Sequence, residues 1–338
     1  MVKDLRKSNS PIIRTLRRII NESRNSLELV ESIWYVIKIR NASKFENRRL
    51  LAEIIRETHG IEKGLAMENV RLGFGISKFT ESSHYIGRYR NNGGSMKEEP
   101  LVMYKDALKS YLEFHKEHNF ENDVTKRVKE GYQQLLREIG ETEGKFGGIK
   151  YASRIDYNDE ERALISGIFT NRHSIREFEH TPVDPVNLNK AIELAMHCPS
   201  ACNRQCQRLY VVERKDFEKL DYSLKGTRGF SDSFDKILFV TGSISSYRDY
   251  ETFQWIVTPS IFAAYLSLAL EIFSIGSCFV QRSLLPNKEW KALAKAIGAP
   301  EDEQLICCMG IGNLKDKYKV PVSHRLNIGK MVFNPQIK

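Results

Sequence analysis

Pro199-Ser200-Ala201-Cys202-Asn203-Arg204-Gln205 is the stretch that best indicates the fold, because it joins a predicted helix to a predicted strand. Pro185 is predicted to open the helix, which runs to about His197, and Pro199 ends it because proline cannot continue a helix. The apolar run at 209–212 predicts a short buried strand. Side-chain amides in such a loop carry both a donor and an acceptor, and can bind the edge of a planar heterocycle. The alternative interpretation is ordinary turn chemistry, in which Pro, Ser and Asn are frequent.

The alternation of helix and strand continues on both sides of this loop. Further strands are predicted at 237–240, 277–281 and 304–310, and further helices at about 158–170, 216–224, 256–274 and 287–297. Strands and helices that alternate without tight hairpin signals indicate an α/β or α+β domain with one central sheet.

The N-terminal part of the chain is predicted to be helical. Apolar residues at helical spacing predict helices over 11–40, 44–58, 99–118 and 121–138. Between them, the glycines from His59 to Gly75 indicate a shaped loop. Four glycines between Gly140 and Gly148, without apolar periodicity, indicate a linker. We therefore expect a helical N-terminal extension over 1–150 and a second domain over 151–338.

Charge is distributed unevenly along the sequence. The formal net charge is +9, and residues 1–40 hold nine Lys or Arg against four Asp or Glu. Such an excess suits nucleic acid, an anionic membrane surface or an anionic substrate. A solvated helix face explains it more simply, and no recognised nucleic-acid motif accompanies it. We therefore expect no nucleic-acid partner.

Composition and cysteine placement indicate a globular cytoplasmic protein. Hydrophobic residues make up 41% and charged residues 28% of the 338 residues, which excludes a disordered chain. The first residues lack the apolar core of a signal peptide. The longest apolar stretch, 256–275, contains Glu271 and several hydroxyl residues, so a buried helix is expected and no membrane span. All six cysteines follow residue 197 and are expected to be reduced thiols.

A basic motif, Arg172-His173-Ser174-Ile175-Arg176, lies shortly before the loop. Two guanidinium groups with a hydroxyl and an imidazole can surround a phosphate, because the arginine fork donates charge-assisted hydrogen bonds. If the segment is extended, Arg172, Ser174 and Arg176 lie on one side. An exposed basic turn is an equally good interpretation of these residues alone.

Two glycine-containing stretches follow later. In Ile275-Gly276-Ser277-Cys278-Phe279-Val280-Gln281, Gly276 suits a helix C-terminal cap, and small residues there can approach a flat ring closely. A simple cap followed by a core strand explains the stretch equally well. Gly310 and Gly312 follow a predicted strand and are a weak phosphate-loop signal, since G-x-G-x-x-G is incomplete. Beyond them, Arg325 is a candidate third phosphate ligand.

These four pieces, in this order, resemble the flavin-dependent nitroreductase family over about residues 158–330. The positions that match the family motifs are Arg172, His173, Ser174, Arg176 and Phe178, then Pro199, Ser200, Asn203 and Gln205, then Gly276, Ser277 and Cys278, and last Arg325. The resemblance implies an α+β fold with a central mixed sheet flanked by helices. It also implies a homodimer that holds one FMN in each interface site.

The resemblance further implies which residues contact each part of the flavin. Arg172, Ser174 and Arg325 would contact the phosphate and ribityl chain, and Ser200, Asn203 and Gln205 the isoalloxazine ring. The other candidate cofactor-binding residues are His173, Arg176, Pro199, Ala201, Gly276, Ser277, Phe279 and Gln281. Members of the family pass hydride from NADH or NADPH through the flavin to a small-molecule acceptor, so the cofactor carries the chemistry. No catalytic side chain is identified.

The sequence departs from the family pattern around the loop and near Arg325. Cys206 and Gln207 occupy places where the family has Pro and an aromatic residue, and Cys202 and Arg204 replace small and apolar residues. Ser323 stands where a second basic ligand is often found. These departures leave the flavin-binding fold intact but affect which substrate the protein would accept. They motivate an alternative function, a flavin-binding or partner-binding protein without ordinary reductase turnover.

Two further alternatives involve other residues. Cys198, Cys202 and Cys206 are spaced four apart and could hold an iron–sulfur cluster, although Pro199 interrupts the helix and C-x₂-C spacing is missing. The His59 to Gly75 loop is interpreted as a capped turn with a surface ion pair involving Glu62. A sharper hypothesis is that this loop closes over the flavin.

Overall fold

The chain forms nine α-helices and four β-strands within residues 11–220, 229–280 and 288–335, which the computed structural model describes. The helices are α1 Pro11–Asn41, α2 Glu46–Leu65, α3 Ile76–Asn91, α4 Glu99–Glu117, α5 Asp123–Ile139, α6 Asp159–Asn171, α7 Pro185–Ala195, α8 Gln254–Ile272 and α9 Lys288–Ile297. The strands are β1 Gln207–Glu213, β2 Lys236–Ser243, β3 Ile275–Val280 and β4 Glu303–Asn313. Short 3₁₀ turns include Ala201–Asn203 and Arg214–Lys219.

Helices α2 to α5 enclose a core of their own. Residues such as Leu50, Ile54, Leu108 and Val128 are buried together there. α5 begins at a capping box, in which the Asn122 side chain accepts from Thr125 N and the Thr125 side chain accepts from Asn122 N. Residues 140–158, which include the linker predicted at 140–148, contain no helix or strand.

The expected loop from His59 to Gly75 is only partly a loop. α2 continues through Leu65, and α3 had not been predicted. A Cβ on Gly64 would lie 2.2 Å from the Phe74 ring, so this glycine serves helix packing rather than a turn. A glycine inside a helix costs about 1 kcal/mol relative to alanine, which tertiary packing readily offsets. The actual turn contains Gly73 and Gly75, both with positive φ.

The sheet has the strand order β1-β2-β4-β3, and all three ladders are antiparallel. Of the mixed sheet expected from the family resemblance, the described residues show one isolated parallel bridge, between Ser174 and Ser277. Side chains alternate across β2 as strand geometry requires. Leu238 and Val240 enter the core beneath α7 and α8, whereas Ile237 and Phe239 enter a second core beneath α9. The fold class is therefore α+β, with N-terminal helices attached.

α8 is the long apolar helix that the sequence predicted at 256–274. By length and composition it is apolar enough to cross a membrane, and 50% of its most apolar stretch is buried inside the protein. Phe262, Leu266 and Leu270 are buried against the sheet. The opposite side exposes Val257, Tyr265 and Ile272, which are 45%, 42% and 46% exposed. α8 thus has one face in the core and a second apolar face on the surface.

The N-terminal helices are attached to the α+β part of the chain by ion pairs and one apolar cluster. Arg48 Nη1 lies 3.0 Å from both Asp302 Oδ1 and Glu303 Oε1. Lys44 Nζ lies 2.7 Å from Glu301. The apolar cluster consists of Ile39, Cys206, Ile244, Tyr247, Trp255 and Ile306. Because Cys206 directly follows the candidate loop, the extension is anchored close to that loop.

Candidate cofactor site

The loop after α7 has an unusual backbone. Cys202, Asn203 and Gln205 have φ angles of 51°, 56° and 47°. Left-handed conformations cost residues with a side chain about 1 kcal/mol or more each, and persist only where the surroundings enforce them. Asn tolerates this region best among these residues. The loop is therefore held in its shape by contacts with the rest of the domain.

Two side-chain amides meet on the partly exposed side of this loop. Gln205 Nε2 donates to Asn203 Oδ1 at 3.2 Å and to Asn203 O at 3.3 Å. Ser200 Oγ accepts from Gln205 N at 3.3 Å. Among the residues that the structure describes, Asn203 Nδ2 and Gln205 Oε1 have no partner. The loop therefore presents one donor and one acceptor from a preorganised pair of amides.

Arg204 points the other way, into the protein, and is only 3% exposed. Both Nη atoms donate to the Glu251 carboxylate, one of them at 2.8 Å, and Nη1 also donates to Ser246 O at 3.2 Å. Its Nε donates to Ala201 O at 3.2 Å, and the guanidinium lies 4.3 Å from the centre of the Tyr247 ring. Burial opposes the charge, yet Glu251 raises the pKa of Arg204. Arg204 is thus a structural support of the loop.

A second set of hydrogen bonds supports the loop from beneath. Cys206 Sγ lies 3.0 Å from Tyr247 Oη, which donates to Thr258 Oγ1 at 3.0 Å. Thr258 Oγ1 also accepts from Ala201 N at 3.4 Å. Burial raises the pKa of Cys206 to about 11, so it remains a thiol at neutral pH. The loop is therefore attached to the N-terminal end of α8.

The three evenly spaced cysteines do not form a metal site among the described residues. Cys198 and Cys206 are buried free thiols, and Cys202 is half-buried in the loop. No group of three or more His, Cys, Asp or Glu side chains in the described ranges is arranged to hold a metal ion. The structure therefore gives the iron–sulfur alternative no support.

The basic motif is extended and lies at the other end of α8. Ile175 is 2% exposed and its N–H donates to Ser277 O at 3.0 Å. Arg172, His173 and Ser174 are half-buried, and Arg176 is exposed. The Arg176 guanidinium lies 5.6 Å from the centre of the Phe230 ring. The parallel bridge from Ser174 to Ser277 brings the first and third sequence motifs together.

Glu271 is a charged neighbour of Arg172 that the sequence analysis missed. It is half-buried in the last turn of α8. Burial raises the pKa of Glu271, and the charge of Arg172 opposes that rise. No local pattern signals this pair, because it depends on the packing of α6 against α8. A carboxylate beside Arg172 competes with any anion that this arginine binds.

The glycines of the third and fourth motifs serve packing. Gly276 lies inside β3, and a Cβ there would lie 2.7 Å from Leu314, so the expected helix cap at Gly276 is wrong. The left-handed residue after α8 is Ser274, with φ 56°. Gly310 and Gly312 lie inside β4 and make room for aromatic rings of Phe234 and Phe178, which removes the phosphate-loop interpretation.

The remaining residues of the third motif differ in their burial. Ser277 is 4% exposed, and Phe279 packs partly buried against the core beneath α8. Gln281 lies outside the described residues. The roles of Gly276, Ser277 and Phe279 in cofactor binding stay predictions.

One chain does not bring all candidate residues together. Arg325 lies in an exposed C-terminal segment, where Nη1 donates to Ser323 O at 2.7 Å. The loop contacts Thr258, whereas Arg172 lies near Glu271. Glu271 follows Thr258 by thirteen positions along α8, which is about 20 Å at the helical rise per residue.

The segment from His59 to Gly75 packs within the N-terminal helices. His59 Nδ1 lies 3.4 Å from Glu62 Oε2, and Glu62 Oε1 accepts from Gly148 N at 3.1 Å. Gly73 N donates to His115 Nε2 at 2.9 Å, and Phe74 packs against Tyr111. These contacts agree with the ion-pair interpretation. They place the turn against α4, so the structure gives no support to a lid over the flavin.

Comparison with known proteins gives one family match. Residues 169–228 match the model of the nitroreductase family. This range contains both the basic motif and the 199–205 loop, so the resemblance drawn from those motifs is confirmed there. No curated protein matches the chain.

Several solved structures resemble about half of the chain. An FMN-dependent nitroreductase from Clostridium difficile R20291 is 24% identical, with 51% of this chain and 99% of that chain covered and a TM-score of 0.42. A nitroreductase family protein from Clostridium novyi NT is 21% identical, with coverage of 45% and 86% and a TM-score of 0.39. Another from Streptococcus pneumoniae TIGR4 is 19% identical, with coverage of 50% and 99% and a TM-score of 0.39.

Proposed function

We propose that this chain, a nitroreductase family protein by its match over residues 169–228, binds FMN and transfers hydride from NADH or NADPH to a small-molecule acceptor. The preorganised amide pair of Asn203 and Gln205, inside the family-matched region, carries the proposal. When bound, FMN supplies the centre that accepts and then delivers the hydride. Because the cofactor carries the chemistry, the site can consist of amides and cations without an identified acid–base pair.

The donor set fits the two ends of FMN. Arg172 and Arg325 offer guanidinium groups and Ser174 a hydroxyl, which suit a phosphate dianion. The donor of Asn203 and the acceptor of Gln205 suit the pyrimidine edge of the flavin ring. In this role the chain binds and orients the cofactor. Nicotinamide and acceptor would then use the same open face of the ring in turn.

A homodimer would complete the site. α6 has no buried residue and exposes Leu164 and Phe169, which are 75% and 62% exposed. The C-terminal segment exposes further large apolar side chains: Val322, Leu326, Ile328, Met331 and Phe333. Together with the uncovered apolar face of α8, they form a surface of the kind that marks an interface.

Twofold symmetry explains how the separated halves of the site would meet. If α8 crosses α8 of a second copy in antiparallel orientation, the N-terminal end of one helix approaches the C-terminal end of the other. The 199–205 loop of one protomer then lies beside Arg172 of its partner. The separation of about 20 Å within one chain therefore supports a flavin site at the dimer interface.

The test begins with the visible spectrum of protein purified without added cofactor. We expect the absorption of oxidised flavin, bleached by NADH or NADPH in the absence of oxygen. Replacing Arg172 and Arg325 by Ala should raise the Kd for FMN about 10- to 100-fold per residue, because each removes charge-assisted hydrogen bonds. Arg154→Ala is the matched control, since Arg154 is 85% exposed and pairs only with Asp156 among the described residues.

Three outcomes would change the proposal. Colourless protein that fails to take up FMN would overturn it. Equal flavin retention in the double variant would refute the placement of the phosphate. Bound FMN that neither nicotinamide bleaches would favour a flavin-binding protein without reductase turnover, an alternative that the unusual buried Arg204 and Cys206 motivate.

A further inference from the structure

The N-terminal helices reach the candidate flavin loop through a buried ion pair. Glu53 of α2 is 6% exposed. Its carboxylate accepts from Arg248 Nε, which lies 3.0 Å from each oxygen, and Arg248 Nη2 also donates to Tyr85 Oη at 2.9 Å. The Glu53 carboxylate raises the pKa of Arg248, as a tight charged pair should. α2 also packs directly against the 201–203 turn.

From Arg248 the contacts continue to the loop without a gap. The backbone N–H of Arg248 donates to Glu251 Oε2 at 3.0 Å. The same carboxylate accepts hydrogen bonds from both Nη atoms of Arg204. Arg204 Nε then donates to Ala201 O at 3.2 Å. The chain of contacts therefore runs Glu53, Arg248, Glu251, Arg204 and Ala201, from the extension to the loop.

Arg204 suits this role because of its geometry. Its neighbours Asn203 and Gln205 are both left-handed, and such residues keep their conformation only when the surroundings enforce it. A guanidinium carries five donors in a rigid fork, so one side chain can hold a carboxylate and two backbone carbonyls together. An ammonium group cannot reproduce that arrangement.

We propose that Arg204 is a positioning residue for the flavin site, and that Glu53, Arg248 and Glu251 connect it to α2. The N-terminal extension then has a definite role, which is to hold the 199–205 loop in the shape that presents the amides of Asn203 and Gln205. The proposal rests on the proposed function only where it names FMN as the ligand of that loop.

The experiment compares Glu53→Gln and Arg204→Lys with the control Glu138→Gln. Glu138 is a suitable control because Arg90 Nη2 donates to both its oxygens, at 3.0 and 2.8 Å, inside the N-terminal helices and away from the loop. Amide hydrogen exchange over 199–206 is measured in FMN-free full-length protein. The FMN Kd and the visible spectrum of bound flavin are measured separately, and the melting temperature is recorded for every variant.

We expect exchange over 199–206 to accelerate about tenfold in Glu53→Gln and Arg204→Lys, with FMN affinity about tenfold weaker and a shifted flavin spectrum. Glu138→Gln should lower the melting temperature without either change. If Arg204→Lys does not fold, Arg248→Lys provides the second variant, because it keeps the charge and loses the fork.

The outcomes separate this inference from the proposed function. Unchanged loop exchange in Glu53→Gln, or equal acceleration in Glu138→Gln, would overturn the connection even if wild-type protein binds FMN. Accelerated loop exchange in protein that takes up no FMN would support the connection while the proposed function fails.

Discussion

Arginine has three different roles in this chain, and burial distinguishes them. Arg204 is 3% exposed and holds a carboxylate and two carbonyls, so it serves the loop's shape. Arg172 is half-buried beside Glu271, where it remains accessible to an anion. Arg325 is exposed on the C-terminal segment and would depend on a partner to reach the site. Residue type alone predicted a phosphate role for two of them, and their surroundings define how each can act.

Replacing Glu271 by Gln should strengthen FMN binding. The change removes a negative charge beside Arg172 and leaves the side-chain volume nearly unchanged. We expect the FMN Kd to fall about two- to fivefold at low salt and the difference to shrink at high salt, as for partly exposed charges. Quenching of flavin fluorescence measures the Kd. Glu193→Gln, on the exposed side of α7, should leave the Kd unchanged. A higher Kd for FMN in Glu271→Gln would contradict the assignment of Arg172 to the phosphate.

His115 should make the N-terminal helices sensitive to acid. Its Nδ1 donates to Tyr111 O at 2.8 Å and its Nε2 accepts from Gly73 N, so the buried ring is held neutral. Burial lowers the pKa of His115. The unfolded histidine, with a pKa of about 6.5, therefore binds protons before the folded one, and stability falls as the pH drops below about 6.5.

Thermal unfolding between pH 8 and pH 5 tests this expectation. His115→Gln should be less stable than wild type at pH 8 but should lose less stability on acidification. His84→Gln, a change at an exposed position of α3, should keep the wild-type pH dependence. An identical slope in His115→Gln and wild type would refute the role of His115.

At the scale of elements, two glycines of the extension differ in function although both lie inside helices. Gly64 of α2 leaves room for the Phe74 ring, whereas a Cβ on Gly87 of α3 would have no heavy atom within 4 Å. Helix propensity treats both positions alike. Only the neighbouring turn distinguishes them, because it brings Phe74 back onto α2.

Gly64→Ala and Gly87→Ala should therefore have opposite effects on stability. Gly64→Ala should destabilise by about 1–3 kcal/mol, because the Phe74 ring must move. Gly87→Ala should stabilise by about 0.5–1 kcal/mol, through the lower backbone entropy of the unfolded chain. Denaturant unfolding of the two variants in parallel measures both. A stabilised Gly64→Ala variant would show that the contact with Phe74 is not maintained.

At the scale of the whole molecule, several elements near the candidate site carry exposed apolar side chains. α6, the outer face of α8 and the C-terminal segment all expose large side chains. A single chain therefore leaves the two halves of the proposed flavin site separated along α8. Cofactor binding and dimerisation are expected to depend on each other.

Replacing Tyr265 by Asp should produce a monomer with little bound flavin. The variant places a charge on the uncovered apolar face of α8 and leaves the core beneath it intact. Size-exclusion chromatography with light scattering measures the mass, and flavin absorbance measures occupancy. Val186→Asp, on an α7 residue that is 58% exposed, serves as the matched control. A Tyr265→Asp dimer that keeps its flavin would place the interface elsewhere.

The four strands of the sheet were predictable, because short apolar runs between turn residues identify buried strands locally. The predicted strands at 209–212 and 237–240 lie within β1 and β2, and those at 277–281 and 304–310 overlap β3 and β4. The motif around Arg172 and the loop at 199–205 were also identified locally, and the family match covers both. Residue types and short spacings carry this information, since hydrogen-bonding groups and side-chain alternation are properties of neighbouring residues.

Tertiary structure decided what these pieces do together. The burial of Arg204, the charge interaction between Arg172 and Glu271 and the packing of Phe74 on Gly64 all join residues from different elements. The separation of the two candidate halves along α8 has the same origin. Such contacts depend on how helices pack against the sheet and against each other. A pattern confined to one stretch of sequence cannot report them, because the energy that selects them comes from partners distant along the chain.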